Sequence, residues 1–197
     1  MKLVITGKSF ISSAQADEAM ETLADRVKQM RFVHDLEKLA VVAAGCAMLG
    51  SGLECHHGDS DIGIYMGIDD AIEDIKDEYF TGALADGLWG ASPLLFPFTS
   101  PNTLAAQISI AFGLRGEGLV MPVKSLCPDM IKYSAGSIEG GYAKKAISGA
   151  ISLTDRSLSI DAGRYSAGFV IIEKEADAVR RGAKIYNTLK AGNIEDI

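Results

Sequence analysis

The sequence predicts an α/β fold of stacked layers. Three observations carry this. Strand-like runs and helix-like runs alternate along the chain in mixed order, which favours sheet with helices against it. The hydrophobic content is 48% with only 7% aromatic residues, so the core is aliphatic and small. A stretch from Ala91 to Cys127 then reads as loop, helix, tight turn, strand and second turn in close succession. At 197 residues the chain is long enough for a real core and predicts one domain over 1–197.

The elements follow in order. Lys2 to Thr6 reads as a first strand, ended by Gly7. Ser12 and Gln15 have the spacing of a capping box, and Met20, Leu23, Val27 and Met30 continue at helical intervals. A second helix places Phe32, Leu36, Leu39, Ala43 and Ala47 on one face, with Gly50 and Gly52 as its stop. Ile62 to Met66 is a strand, and Asp69 or Asp70 caps a helix reaching about Phe80.

In the central stretch Pro97 and Pro101 bracket the loop. Ser100 suits an N-cap, and Pro101 suits the first helical position, where no N–H is needed. Leu104, Ile108 and Phe112 share a face before Gly113 and Gly116 turn the chain. Leu119 to Val123 fits a buried strand. A helix of small residues follows Asp129 to about Tyr142, a composition that lets another element approach closely. Ala146 to Leu153 and Tyr165 to Glu173 are strands, KEADAVRRGA is a short helix, and KIYNTL is a final strand.

The net charge of −7, with no basic tract, argues against binding nucleic acid through its backbone. Cys46, Cys55 and Cys127 are an odd set without metal-site spacing to the histidines, which points to a reducing compartment. The longest uncharged apolar run, Leu39 to Leu53, is too short and glycine-rich to span a membrane, so a soluble protein of the cytoplasm is expected. His56 and His57 with Asp59 and Asp61 sit on a polar turn and read as surface residues rather than ligands. No cofactor and no metal are implied. The acidic run DDAIEDIKDE reads as a solvated helix face that would repel acidic carrier proteins.

SPLLFPFTSPNTLAAQISIAFGLRG resembles the segment before the active site of the β-ketoacyl synthases, the thiolase-like condensing enzymes of fatty acid and polyketide synthesis. LVITG, SDIGIYMG, AISGAIS and YSAGFVIIEKEADAVRRGAKIYNTL resemble further segments of that family's N-terminal half, in the family's order, over roughly residues 2–190. The resemblance implies a mixed sheet with helices on both faces. Laid on this chain without a gap, the family's nucleophilic Cys falls on Ser125. A serine without a placed base is a far weaker nucleophile, so Ser125 reads first as a helix cap. Cys127, directly before Pro128, is the rival position, with a buried inert thiol as its alternative; Lys124 beside them contacts an anion or stays solvated.

The resemblance also implies that Asn102 and Gln107 lie near the family's dimer interface and acyl tunnel, with Phe96, Phe98 and Phe112 as tunnel-lining residues or as core. The family's catalytic histidines belong to a second half, and His34, His56 and His57 do not sit in those motifs. With that half outside this sequence, the small-residue helix and one sheet face are expected to lie open to water until a partner covers them. The expected role is a non-catalytic subunit of the chain-length-factor type, paired with a full ketosynthase. The alternatives are a split enzyme completed by a separate C-terminal half, and an acyl-binding homodimer. An acyl carrier protein is a further expected partner.

Overall fold

A computed structural model of the chain describes residues 1–27, 32, 34–53, 60–123 and 128–189. These form one six-stranded mixed sheet and six α-helices. The strands are β1 (Leu3–Ser12), β2 (Ile62–Asp69), β3 (Gly118–Pro122), β4 (Lys145–Leu153), β5 (Tyr165–Lys174) and β6 (Asn187–Leu189), in the spatial order β3-β2-β4-β5-β1-β6. β2 runs parallel to β3 and β4, whereas β5 is antiparallel to β4 and β1. The helices are α1 (Ala16–Glu21), α2 (Asp35–Ser51), α3 (Glu73–Asp86), α4 (Asn102–Phe112), α5 (Pro128–Gly140) and α6 (Glu175–Arg180).

Strand alternation sorts the side chains onto two faces. Ile62, Ile64, Met66, Ile147, Phe169 and Ile171 point to the face covered by helices, with α2 over β1 and β5 and α4 beside it near β2 and β3. This is the main core. Tyr65, Ala146 and Ile172 point to the other face, where α5 packs across β2 and β4.

Gly7 does not end β1, which continues to Ser12. The pairing slips between Ile5 and Gly7, so Thr6 is a bulge. The slip reverses the alternation. Ile5 belongs to the α5-side core, whereas Gly7 and Ser9 face α2; Ser9 Oγ donates to Ala43 O at 2.6 Å. Gly7 is glycine because α2 passes directly over it.

Other boundaries differ for local reasons. The helix expected through Met30 stops at Glu21, and tight bonds such as Leu23 N–H to Met20 O (3.0 Å) carry the chain onward in turns. Thr22 at the break donates its Oγ1 to Ala19 O, a bond that competes with helix propagation. α3 begins later than expected, after Asp70 turns at φ 50°, and runs past Phe80 to Asp86. Ser100 is extended, but the cap of α4 is Pro101 and not Ser100: Pro101 has helical angles one residue before α4 begins at Asn102, and Gly113 closes α4 at φ 67°.

His34 caps α2. Its Nδ1 accepts from Leu36 N–H at 3.1 Å, while Glu37 Oε1 accepts from His34 N–H at 2.8 Å. Burial holds the imidazole pKa below its usual value, against the opposing pull of Asp35, Glu78 and Asp74. The unfolded chain binds this proton at a higher pH than the folded one, so His34 costs no stability above about pH 6.5 and progressively more as pH falls below it. The urea midpoint of wild type should therefore drop more between pH 7.5 and pH 5.5 than that of His34→Asn, which keeps a capping oxygen but cannot titrate. Equal drops would show that the cap does not titrate.

Candidate functional site

The expected nucleophile positions lie between β3 and α5. Val123 N–H still bonds Ile68 O at 3.0 Å, prolonging the sheet by one residue, and α5 starts at Pro128. Lys124, Ser125 and Cys127 lie outside the described residues, as do Cys55, His56, His57 and Asp59. Pro128 is the first residue of α5, where its missing N–H costs nothing.

The small residues of α5 divide between its two faces, with Gly136 and Gly140 exposed on the outward one. Ser134, Ala135 and Ser137 are buried against the sheet, where their size lets the helix sit close over Gly63 and Ala146. The outward face is polar and carries Asp129, Lys132, Tyr133 and Glu139. The sheet face is covered only in part. Phe10, which faces away from α2, is 63% exposed, and Gly168 and Ser166 across from β1 are half-buried.

β3 is the sheet's edge and not the buried strand its apolar run suggested. It pairs with β2 alone, and its central residues are half-exposed. Pro122, which can donate no backbone hydrogen bond, suits an edge.

Between β3 and α5 opens a cavity of about 670 Å³, lined by residues that include Tyr65, Glu117, Met121, Lys132, Tyr133 and Tyr142. On its wall Glu117 Oε2 accepts from Tyr65 Oη at 2.7 Å and from Ser137 Oγ at 2.5 Å; the two hydroxyls also touch each other. Burial pushes the Tyr65 pKa up to about 12, so the phenol stays protonated near neutrality. The Ser137 and Tyr65 hydrogen bonds hold Glu117 below the usual carboxylate range. A neutral phenol and an ionised carboxylate are not a nucleophile with its base. Among the described residues the only histidine is His34, and it is engaged at the α2 cap. Sequence reasoning missed this triad because its members lie on β2, on α5 and in the turn before β3, with no shared periodicity.

Phe98 and Phe112 are buried in the main core, whereas Phe96 is exposed with its ring against Tyr79. Asn102 is exposed at the start of α4, and Gln107 is half-buried along it. Cys46 lines the core on α2, and burial raises its thiol pKa. Among the described residues no cluster of three or more His, Cys, Asp or Glu could hold a metal ion, and no helix is long and apolar enough to cross a membrane.

The family model for the β-ketoacyl synthase N-terminal domain matches residues 6–183. The chain belongs to the β-ketoacyl synthase family. Solved structures of the fold are similar at low identity. The ishigamide ketosynthase/chain length factor superposes with a TM-score of 0.74 at 19% identity, over 95% of this chain and 62% of that one. A type II polyketide synthase complex of an acyl carrier protein with its ketosynthase, AntDE:AntF, gives 0.67 at 19% identity, over 96% and 67%. A β-ketoacyl synthase from Burkholderia phymatum STM815 gives 0.66 at 18% identity, over 95% and 62%. The chain thus spans under two thirds of the first of these structures and carries the thiolase-like N-terminal half of the fold. Curated proteins give no match.

Proposed function

We propose that this protein is a non-catalytic ketosynthase-like subunit of the chain-length-factor type, paired with an active condensing enzyme of fatty acid or polyketide synthesis. The observation that carries the reading is the half-covered sheet face. α5 protects β2 and β4, while Phe10 stands exposed beside it on β1. Exposed apolar surface of this kind marks an interface. The edge strand β3 offers a second point of attachment by strand addition. In this reading Phe96, Phe98, Asn102 and Phe112 shape the acyl pocket shared with the partner, and the carrier protein docks on the partner, away from this acidic chain.

A split enzyme is the second reading, and one observation favours it. α5 starts at Pro128, so Cys127 directly precedes the first helical residue, a place where a thiol pKa is lowered. Intact mass after incubation with a chloroacetyl acyl electrophile separates the two. Wild type, Ser125→Ala and Cys127→Ala are compared, with and without the co-purified ketosynthase. The non-catalytic reading expects labelling of the ketosynthase and none of this chain. Selective labelling of this chain, lost in one variant alone, would make that residue a nucleophile and establish the split enzyme.

A further inference from the structure

The cavity between β3 and α5 is lined for a ligand of one charge. Glu117 on its wall is fixed from two sides. Its backbone O accepts from Ile64 N–H at 2.8 Å, and Gly116 beside it lies so close to β2 that a Cβ there would stand 2.1 Å from Ile62 O. The Tyr65 and Ser137 hydroxyls hold its side chain through Oε2, and Oε1 accepts no hydrogen bond among the described residues. The carboxylate is thus aimed before any ligand arrives, and those two bonds keep it ionised at neutral pH.

Both walls leave out a side chain where one would fit. Gly118 on β3 and Gly136 on α5 line the cavity, and an added Cβ at either meets nothing within 4 Å. Glycine weakens the interior of a strand or helix, and here neither a close neighbour nor a positive φ requires it. What the two positions share is the open space between them. The rim is aromatic. Tyr133 is half-exposed on α5, and after Gly141 turns at φ 80° the chain folds back until the Tyr142 ring would lie 2.8 Å from a Cβ on Gly140. Leu119 and Met121 of β3 add apolar surface. The charged groups in the wall are Glu117, Asp129 and Lys132, and Lys132 lies 3.8 Å from Asp129, so the balance is negative.

We propose that this cavity binds a small arylalkyl amine in its protonated form, with the ammonium group on Glu117 beside the Tyr133 and Tyr142 rings and the carbon body against Leu119 and Met121. Tyrosine rings attract an ammonium ion through their faces. A volume of about 670 Å³ accommodates a whole small molecule. An anion meets the wrong sign, because the Tyr65 and Ser137 hydroxyls already donate to Glu117. A divalent metal ion meets too few oxygens, because the remaining walls are aromatic and apolar.

Calorimetric titration of the whole chain with phenethylammonium tests this, with phenethyl alcohol and phenylacetate as its neutral and anionic counterparts. The amine should bind saturably, with a Kd of about a millimolar or below, and at least about tenfold more tightly than the alcohol. Phenylacetate should bind more weakly than either. Glu117→Gln keeps an oxygen for Tyr65 and Ser137 and should reduce the amine to the affinity of the alcohol. Gly136→Leu should place a side chain in the open space and abolish binding of both, at an unchanged or raised melting temperature. Glu139→Gln removes an exposed carboxylate of α5 outside the cavity and should leave binding intact. Equal affinity for amine and alcohol, an amine affinity indifferent to Glu117→Gln or Gly136→Leu, equal loss in Glu139→Gln, or no saturable binding would each overturn the proposal. Tighter binding of Nα-acetyl-lysinamide than of phenethylammonium would assign the cavity to a lysine of a partner and overturn it as well. None of these measurements involves Phe10 or the edge of β3, so their failure leaves the pairing reading standing.

Discussion

Arg181→Ala should lower stability by about 3–5 kcal/mol, read as a large fall in the urea midpoint at unchanged m-value. Glu173 on β5 is fully buried. Its carboxylate accepts from Thr6 Oγ1 at 2.6 Å and from Arg181 Nε at 3.1 Å, and Arg181 Nη2 makes a further close bond. Arg181 Nη1 reaches across to Ser51 O at 2.7 Å, satisfying one of the carbonyls that every helix leaves unpaired at its C-terminus. One guanidinium thus ties the sheet to α2 and the turn after α6. Truncating it strands a buried charge, which costs far more than the pair gains over a neutral substitute. Glu173→Gln with Arg181→Met should therefore be less destabilised than Arg181→Ala alone. Arg181→Lys should recover little, because an ammonium cannot make the two-pronged carboxylate contact and reach Ser51 as well.

Gly7→Ala should cost about 3 kcal/mol or more. A Cβ there would lie 2.0 Å from Ala47 O and 2.8 Å from the Ser51 Cβ. The first obstacle is backbone inside α2, so no side chain can rotate away, and the helix must lift off the sheet over the main core. Gly136 gives the opposite result. It sits in the middle of α5 with nothing within 4 Å of an added Cβ, so Gly136→Ala should stabilise by about 0.5–1 kcal/mol. Thermal or urea melts of the two variants check both signs. A mild effect at Gly7 would mean that β1 and α2 are less closely apposed than described.

The contrast between these two glycines shows where the sequence is readable. Periodicity exposes faces: Leu104, Ile108 and Phe112 on α4 are all buried, and the alternation of β5 places Tyr165, Ala167, Phe169 and Ile171 in one core. A glycine carries no such information, and Gly7 reads as a stop when it is a point of contact. Glu173 and Arg181 are eight residues apart across a strand and a helix, a spacing with no periodic meaning, so their pairing is visible only in three dimensions. β3 was partly legible. Its apolar run hid an edge, but Pro122 within it was the available sign. The family's motifs were readable in order and are matched over residues 6–183, whereas Ser125 and Cys127 themselves lie outside the described residues.

The central claim is that a partner covers the open half of the sheet face. Native mass spectrometry of the protein purified from the cells that make it tests this most directly, comparing wild type with Phe10→Asp. Phe10 is exposed, so the substitution should leave the fold intact. The account predicts a complex with a ketosynthase-family chain for wild type and its loss in the variant, at unchanged circular dichroism. A wild-type protein that runs alone, or a complex indifferent to Phe10→Asp, would contradict it.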